Sequence, residues 1–394
     1  MGTTIGAGIY VLIGKTAAIA GLYAPISFLL ACVIAGLTAF SFAELAARFP
    51  KSAGEAVYVA EGFGSGHAAF ATGLLVVLAA IVSSASIVNG FVGYFREFVA
   101  APPWLVIVGG AAVLGLIAAW GIAESVLVAS LMTLVEIGGL VAVVWGGRAA
   151  LAAVPGRIGD LLPPFDLGAW GGILSGTVLA FYAFLGFEDM VNVIEEVKRP
   201  RKTMPRGIVL TLVLTVILYV LLALVAVLGL PLGELSRSTA PLADIFERTT
   251  GASSTAISAV AMVAVVNGAL IQIIMASRVL YGLARQGWLP ARLATVSGLT
   301  HTPLVATAAM TLAMLLFALW LPLVSLAKGA TLITLIIFAL VNGALLMVRR
   351  RDRAPTTGFR VPIWAPLCGI LVCTGMAMFQ IVDFARQISR LAAP

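Results

Sequence analysis

Two glycine-centred stretches of this chain have residue types suited to chemistry by the backbone alone. The first, "GTTIGAGIYVLIG" (Gly2–Gly14), puts four glycines in thirteen residues; the second, "FYAFLGFED" (Phe181–Asp189), puts Gly186 inside another apolar run. Glycine reaches positive φ without penalty and lets a ligand approach the main chain closely. In hydrocarbon an unpaired amide group costs several kcal/mol, so a broken helix persists there only where it lines a cavity or holds a ligand. A helix resuming at Ile9 and Tyr10 offers free N–H groups and the positive end of its dipole, which suit a carboxylate. Carbonyls freed near Phe181–Phe184 suit an ammonium group, and the two ends together describe an α-amino acid. The competing reading is tight helix packing, since Gly2 and Gly6 also satisfy G-x-x-x-G. A dinucleotide fingerprint fits poorly, because Val11 stands where its third glycine belongs and no βαβ unit surrounds it.

Ionisable side chains inside apolar runs are the second source of chemistry, since each costs about 3 kcal/mol or more at a bilayer centre. Glu136 lies in the middle of "ASLMTLVEIGGLVAVVWGG" (Ala129–Gly147). A carboxyl in low dielectric favours its protonated form, so Glu136 could take up and release a proton. Two further roles stay open for it: a sodium ligand, or a carboxylate hydrogen-bonded to the first-helix backbone. Glu188 and Asp189 follow Gly186 and suit gating or structural pairing. Glu44 and Arg48 form an i,i+4 pair near a span end, and Glu195 and Glu196 with Lys198 suit inner-gate salt bridges. Asn89 and Asn267 suit helix-to-helix hydrogen bonds.

Other chemistries are excluded by pattern. His67 and His301 are far apart and no thiol cluster exists, so no metal site is expected. Cys32, Cys368 and Cys373 fall within apolar runs as free thiols. Neither a Ser-His-Asp arrangement nor H-E-x-x-H is present, which argues against an enzyme. A net charge of +7 raises nucleic acid as a partner, but the cations track loops instead. With a cytoplasmic N-terminus, about 15 of the 24 Lys and Arg residues fall inside, including "KRPRKTMPR" (Lys198–Arg206) and "RRRDR" (Arg349–Arg353).

The elements that must position these residues are long apolar helices. The 394 residues are 61% hydrophobic and 10% charged, with a mean hydropathy of +1.10, against about 25% charged in soluble domains. Runs near the roughly 20-residue spanning length recur throughout. We count about eleven: 2–21, 25–47, 67–95, 104–120, 124–146, 170–192, 207–230, 253–283, 303–321, 327–348 and 361–382. They are too long and too little alternating for a β-barrel. No charged region precedes the first run, so a removable signal peptide is not expected. The longest polar interruptions, 147–168 and 231–251, are read as external loops. The first five runs and the next five each begin with a glycine-interrupted helix, the pointer to an inverted-repeat transporter.

Four stretches carry a family resemblance. "IGAGIYVLIG" (Ile5–Gly14) resembles the first-helix signature G-x-G-I-F-V-x-x-G of the amino acid-polyamine-organocation transporters, with Tyr10 in place of Phe. Pro25–Val59 resembles their second helix and following loop, Phe181–Ile208 the sixth helix and the loop to the seventh, and Ala276–Pro290 the end of the eighth. The resemblance spans nearly the whole chain. It implies an all-α membrane bundle of the LeuT type, five helices plus five inverted, working by alternating access. Residues 1–147 would form the first repeat, 170–350 the second, and 361–382 an eleventh helix. It also implies backbone amides at Gly6, Ala7, Gly8 and Ile9 for the substrate carboxylate. Carbonyls of the sixth helix would hold the amine, with an aromatic gate at Phe181, Tyr182 and Phe184 and a wall at Leu185. Proton-coupled relatives often carry a lysine where Glu136 stands, beside the first break.

Two departures from the family follow. The chain starts at the first-helix break, so either an in-frame upstream extension restores the first half-helix, the favoured reading, or a short Gly2–Gly21 helix suffices with Lys15 reaching the outer interface; a twelfth helix is absent. The combined expectation is a multi-pass transporter in the cell membrane, N-terminus inside, importing an amino acid with a proton or sodium as coupling ion and no other cofactor. An amino acid or polyamine exchanger and a transport-inactive sensor are the rivals. With neither an acidic pocket nor an arginine placed at the site, a small or apolar neutral substrate is favoured, although Glu136 and Glu188 keep cationic ones open.

Overall fold

Apolar runs of this length close all their backbone hydrogen bonds internally only as helices, and the computed structural model follows that constraint. It describes residues 2–50, 54–120, 126–351 and 359–392. The order is α1 (Gly2–Ile5), α2 (Ala7–Ala20), α3 (Ala24–Arg48), α4 (Gly54–Phe63), α5 (Gly66–Arg96), α6 (Pro103–Trp120), α7 (Val126–Gly146), α8 (Arg148–Ala152) and α9 (Val154–Leu161). Then come α10 (Leu167–Phe184), α11 (Pro200–Gly229), α12 (Leu232–Arg237), α13 (Pro241–Thr250), α14 (Thr255–Arg285), α15 (Leu304–Trp320), α16 (Leu323–Arg351) and α17 (Trp364–Ala392).

Eight apolar runs among the described residues are long enough to cross a bilayer, and Ser130–Gly146 and Leu304–Trp320 are shorter apolar helices. The expected spans 2–21 and 25–47 belong to one run, Gly2–Arg48. A straight 47-residue helix would rise about 70 Å, far beyond the hydrocarbon thickness. The run instead turns at the 3-10 helix Gly21–Tyr23, where Gly21 takes φ 61°.

Both expected breaks occur, each with an altered extent. The first is confined to Gly6 (φ −77°, ψ −125°), and the helix resumes at Ala7 rather than Ile9. Gly8 is therefore helical, and its missing side chain serves a crossing: a β-carbon there would lie 2.6 Å from Ala183 Cα in α10. The second break follows Phe184, with Gly186 at φ 114°. Beyond it the chain continues as a 3-10 helix, Glu188–Glu196, instead of returning to α. Nine residues of 3-10 geometry are unusual, since runs beyond three or four residues are uncommon.

Around these breaks α10 packs on α2 and α3, α11 runs along α3, and α5 lies between α14 and α16. The two long polar interruptions, 147–168 and 231–251, are partly helical. Leu235, Leu242, Ala243 and Ile245 of α12 and α13 are buried, and Lys15 Nζ donates to Ser236 O at 2.8 Å. A β-carbon on Gly93 of α5 would lie 1.9 Å from Thr239 O, so the α12–α13 segment rests directly on that helix. Asn89 makes the expected interhelical bond, donating to Ala318 O at 3.0 Å. The side chains of Glu195 and Glu196, and Arg353, lie outside the described residues.

Glu44 is more than half of a surface pair. Its carboxylate is fully buried and accepts from Arg48 Nε at 3.0 Å, Arg349 Nε at 2.9 Å and the Val361 N–H at 2.9 Å. It thus joins α3, α16 and the segment before α17. Removing one member of a buried ion pair costs about 3–5 kcal/mol. Glu44→Ala is expected to lower the melting temperature in detergent well below that of Arg48→Ala, which leaves the Arg349 pairing intact.

Candidate functional site

The first break brings Glu136 to the backbone of Gly6. Glu136 of α7 is fully buried, and a β-carbon on Gly6 would lie 3.4 Å from its Oε2. Asn267 of α14 donates to Oε1 at 2.8 Å. Among the described residues Oε2 has no hydrogen-bond partner, and Thr4 Oγ1 is likewise buried and unpartnered. An orphaned carboxylate oxygen inside hydrocarbon calls for a proton or a bound group. Tyr10 Oη donates to the Glu136 carbonyl at 2.7 Å, and Tyr94 Oη donates to the Tyr10 carbonyl at 2.5 Å, so α5, α2 and α7 are locked in series.

The second break lies against the first. Gly186 needs its positive φ, and a β-carbon there would come within 2.7 Å of the Thr3 carbonyl carbon. Thr3 Oγ1 donates to Gly186 O at 2.9 Å. Tyr219 of α11, fully buried, directs its hydroxyl to Thr4 O at 2.5 Å and Ala183 O at 3.0 Å. One side chain thus serves carbonyls on either side of the junction. Gly6 has no side-chain cap, so the first-turn N–H groups of Ala7, Gly8 and Ile9 are left to a ligand or to the bundle.

The expected aromatic residues diverge. Phe181 packs edge-on against Phe338 with centroids 5.8 Å apart, and Phe184 packs against Tyr219 at 5.2 Å. Tyr182 Oη donates to the Ser83 carbonyl at 2.9 Å. Leu185 instead walls a small cavity together with Glu188 and Asp189. Glu188 Oε2 accepts from the Gly186 N–H at 2.8 Å, and Gln272 Nε2 reaches Asp189 Oδ2 at 3.4 Å.

That cavity also contains Glu55, an acid the sequence reading passed over. The residue stands in "KSAGEAVYV", Lys51–Val59, where an acid in a short apolar helix was the available signal. Tyr219 was equally overlooked, although a hydroxyl in the apolar run "VILYVLLA", Val216–Ala223, is a polar tip needing a partner. Glu55 is 4% exposed, and burial pushes it up to about 8 from the ordinary 4.5, with the Asp189 charge adding. The other ionisable groups facing it are Glu188 and, on its own helix, Tyr58. Helices α5, α14 and α16 present uncharged Ser83, Gln272 and Thr334.

The sequence profile of the family described as "Amino acid permease" matches residues 1–390. The chain is 28% identical over 404 residues to the branched-chain amino acid permease BcaP of Bacillus subtilis, covering 96% of this chain and 83% of that one. It is 25% identical to the permease of the same name in Lactococcus lactis, covering 98% and 88%. Cationic amino acid transporter 4, vacuolar, of Arabidopsis thaliana is 30% identical over 374 residues, 89% of this chain but 61% of the plant protein. The chain thus spans most of the bacterial relatives and under two thirds of the plant one.

Two outcomes follow from this geometry. Tyr219→Phe keeps the ring packing and strips the hydroxyl from two buried carbonyls, at a cost of about 1–3 kcal/mol, read as a lower melting temperature. Between pH 4.5 and about 8 the folded protein holds a proton on Glu55 that the unfolded chain releases. Stability therefore falls as pH rises through that window. Glu55→Gln, which keeps the neutral shape, is expected to lose that part of the fall when melting temperatures at pH 5.5 and 9 are compared.

Proposed function

Since the chain belongs to the amino acid permease family, within the amino acid-polyamine-organocation superfamily and its LeuT-type fold, we propose that it moves amino acids across a membrane by alternating access. The observation that carries this reading is the meeting of the two helix breaks, tied by Thr3 and Tyr219, with the unpartnered Glu136 oxygen beside Gly6. A substrate carboxylate is received by the N–H groups of Gly6, Ala7, Gly8 and Ile9, at the positive end of α2. The substrate ammonium shares the carbonyls at the end of α10, where Ala183 O now faces Tyr219. Phe181, Tyr182 and Phe184 set the shape of that end, and Leu185 contacts the substrate side chain.

Glu136 serves as the proton site. Protonation supplies the hydrogen its free oxygen lacks and removes a charge from hydrocarbon, so a proton and a substrate arriving at Gly6 bias the same junction. Glu188 and Asp189 act at the gate, because they follow the hinge at Gly186. In this reading 1–147 and 170–350 are the two inverted repeats and 361–382 is an additional helix. The N-terminus faces the cytoplasm of the cell membrane, which puts the densest Lys and Arg clusters inside.

Purified protein in liposomes with an imposed pH gradient is expected to accumulate labelled amino acid. Uptake that requires amino acid on the opposite side would make it an exchanger, and binding without flux would make it a sensor. Glu136→Gln is expected to retain exchange while losing accumulation driven by the gradient. An unchanged pH dependence in that variant would remove the proton role.

A further inference from the structure

A second polar cavity lies away from the two breaks, at the C-terminal end of α14. Its volume is about 390 Å³, within the roughly 300–1,000 Å³ of small-molecule pockets. Helix α6 contributes Ala118, α14 contributes Arg278 and Tyr281, and the turn into α15 contributes Val296, His301 and Thr302. The charge of this lining is one-sided. Arg285 stands over the Tyr281 ring at 5.9 Å and donates to Tyr281 Oη at 3.3 Å, so a second guanidinium is held one side chain from the space. An arginine has five N–H donors, so Arg278 can serve a ligand here together with a protein partner. No acid lines the cavity among the described residues, and the sequence has no Asp or Glu anywhere from Arg248 to Arg351 or within α6.

The backbone of the turn is a separate observation. His301 takes φ 55°, a left-handed conformation uncommon outside glycine, which persists where the surroundings over-determine it. Here they do. The His301 N–H donates to Ser297 O at 3.0 Å, the Ser297 N–H to Thr302 O at 2.9 Å, and Thr302 Oγ1 to Ala119 O at 2.7 Å, which ties the turn to α6. The strained residue is thus held at the cavity wall.

Cationic donors without an acid call for an anion, and the guanidinium fork matches phosphate. The setting selects its source. Trp288 stacks on Phe70 of α5 at 5.0 Å, and Arg351 of α16 donates to Phe63 O at 3.4 Å, so the cavity shares the end of the bundle that carries Arg349–Arg351. Arg285 closes the apolar run Thr255–Arg285, which puts the cavity where a span meets the bilayer surface. Trp120, 70% exposed at the end of α6, is a residue type of that interface, and Val296, Leu299 and Val305 are exposed apolar neighbours. Basic pockets between spanning helices receive anionic lipid head groups.

We propose that this cavity binds the phosphate of an anionic phospholipid, with Arg278 and His301 as donors and the acyl chains along the exposed apolar residues. The lipid braces α14 against α6 and α15. Its binding is read without transport and stands whatever the substrate is.

The test follows the melting temperature and native mass spectrum of the purified full chain in detergent as phosphatidylglycerol, zwitterionic phosphatidylcholine or inorganic phosphate is added. Phosphatidylglycerol is expected to stabilise saturably, with one lipid retained, and phosphatidylcholine far less. Arg278→Gln should weaken that binding about tenfold, the loss of one charge-assisted hydrogen bond, and Arg278→Lys by less. His301→Gly, whose backbone accepts φ 55° freely, should weaken it with the fold intact. Arg206→Gln, an exposed cation outside the cavity, should leave it unchanged. Equal stabilisation by phosphatidylcholine, or an equal loss in Arg206→Gln, would reduce the effect to general lipid contact and overturn the site. Inorganic phosphate acting as well as the lipid at the same concentration would make it a soluble-anion site and overturn the lipid assignment. If Arg278→Gln does not fold, His301→Gly and the wild-type comparison still decide.

Discussion

A backbone carbonyl released inside hydrocarbon must find a donor, and the centre of this protein is arranged around that demand. Two helices break at Gly6 and Gly186, and the breaks lie against each other. Thr3 beside the first break covers Gly186, while Tyr219 covers Thr4 and Ala183 from α11. The close crossing of Gly8 and Ala183 makes this cover possible, because a single added methyl would push α2 off α10. The packing of α11 along α3, the Tyr94–Tyr10–Glu136 series and the turn at Gly186 all meet at the same junction.

Much of this was legible in the sequence, for definable reasons. Run length and composition report directly on helices in a membrane, and a glycine in such a run reports on a break. Gly186 was located correctly, because only glycine suits its φ there. The first break was read as longer than it is, since a glycine placed for close packing, Gly8, looks the same in sequence as one placed for conformation. Glu136 stood out as a charge in an apolar run, and Asn267 as a polar partner between helices. What stayed hidden depends on contacts between distant segments. Glu44 looked like a local pair with Arg48 until Arg349 and the Val361 N–H, brought in from the other end of the chain, were seen on the same carboxylate. Glu55 and Thr334 carry no local signal of sharing a cavity.

The two polar centres are joined by one element. Asn267 bonds Glu136, and Gln272 of the same helix reaches Asp189. The two residues are five apart on α14, about 7.5 Å along its axis. A rigid-body shift of α14 that weakens one of these bonds also strains the other. Such a shared helix is the kind of two-position element through which separate sites are biased together.

The contact of Thr239 with the backbone of Gly93 has a kinetic consequence. At Gly93 no side chain of α5 separates that helix from Thr239, and Leu235, Leu242 and Ile245 of α12 and α13 are buried. A cover seated this closely has no rotamer to flip aside for a water or a solute. Opening of that end of the bundle in the proposed alternating-access cycle would require the segment to detach as a unit.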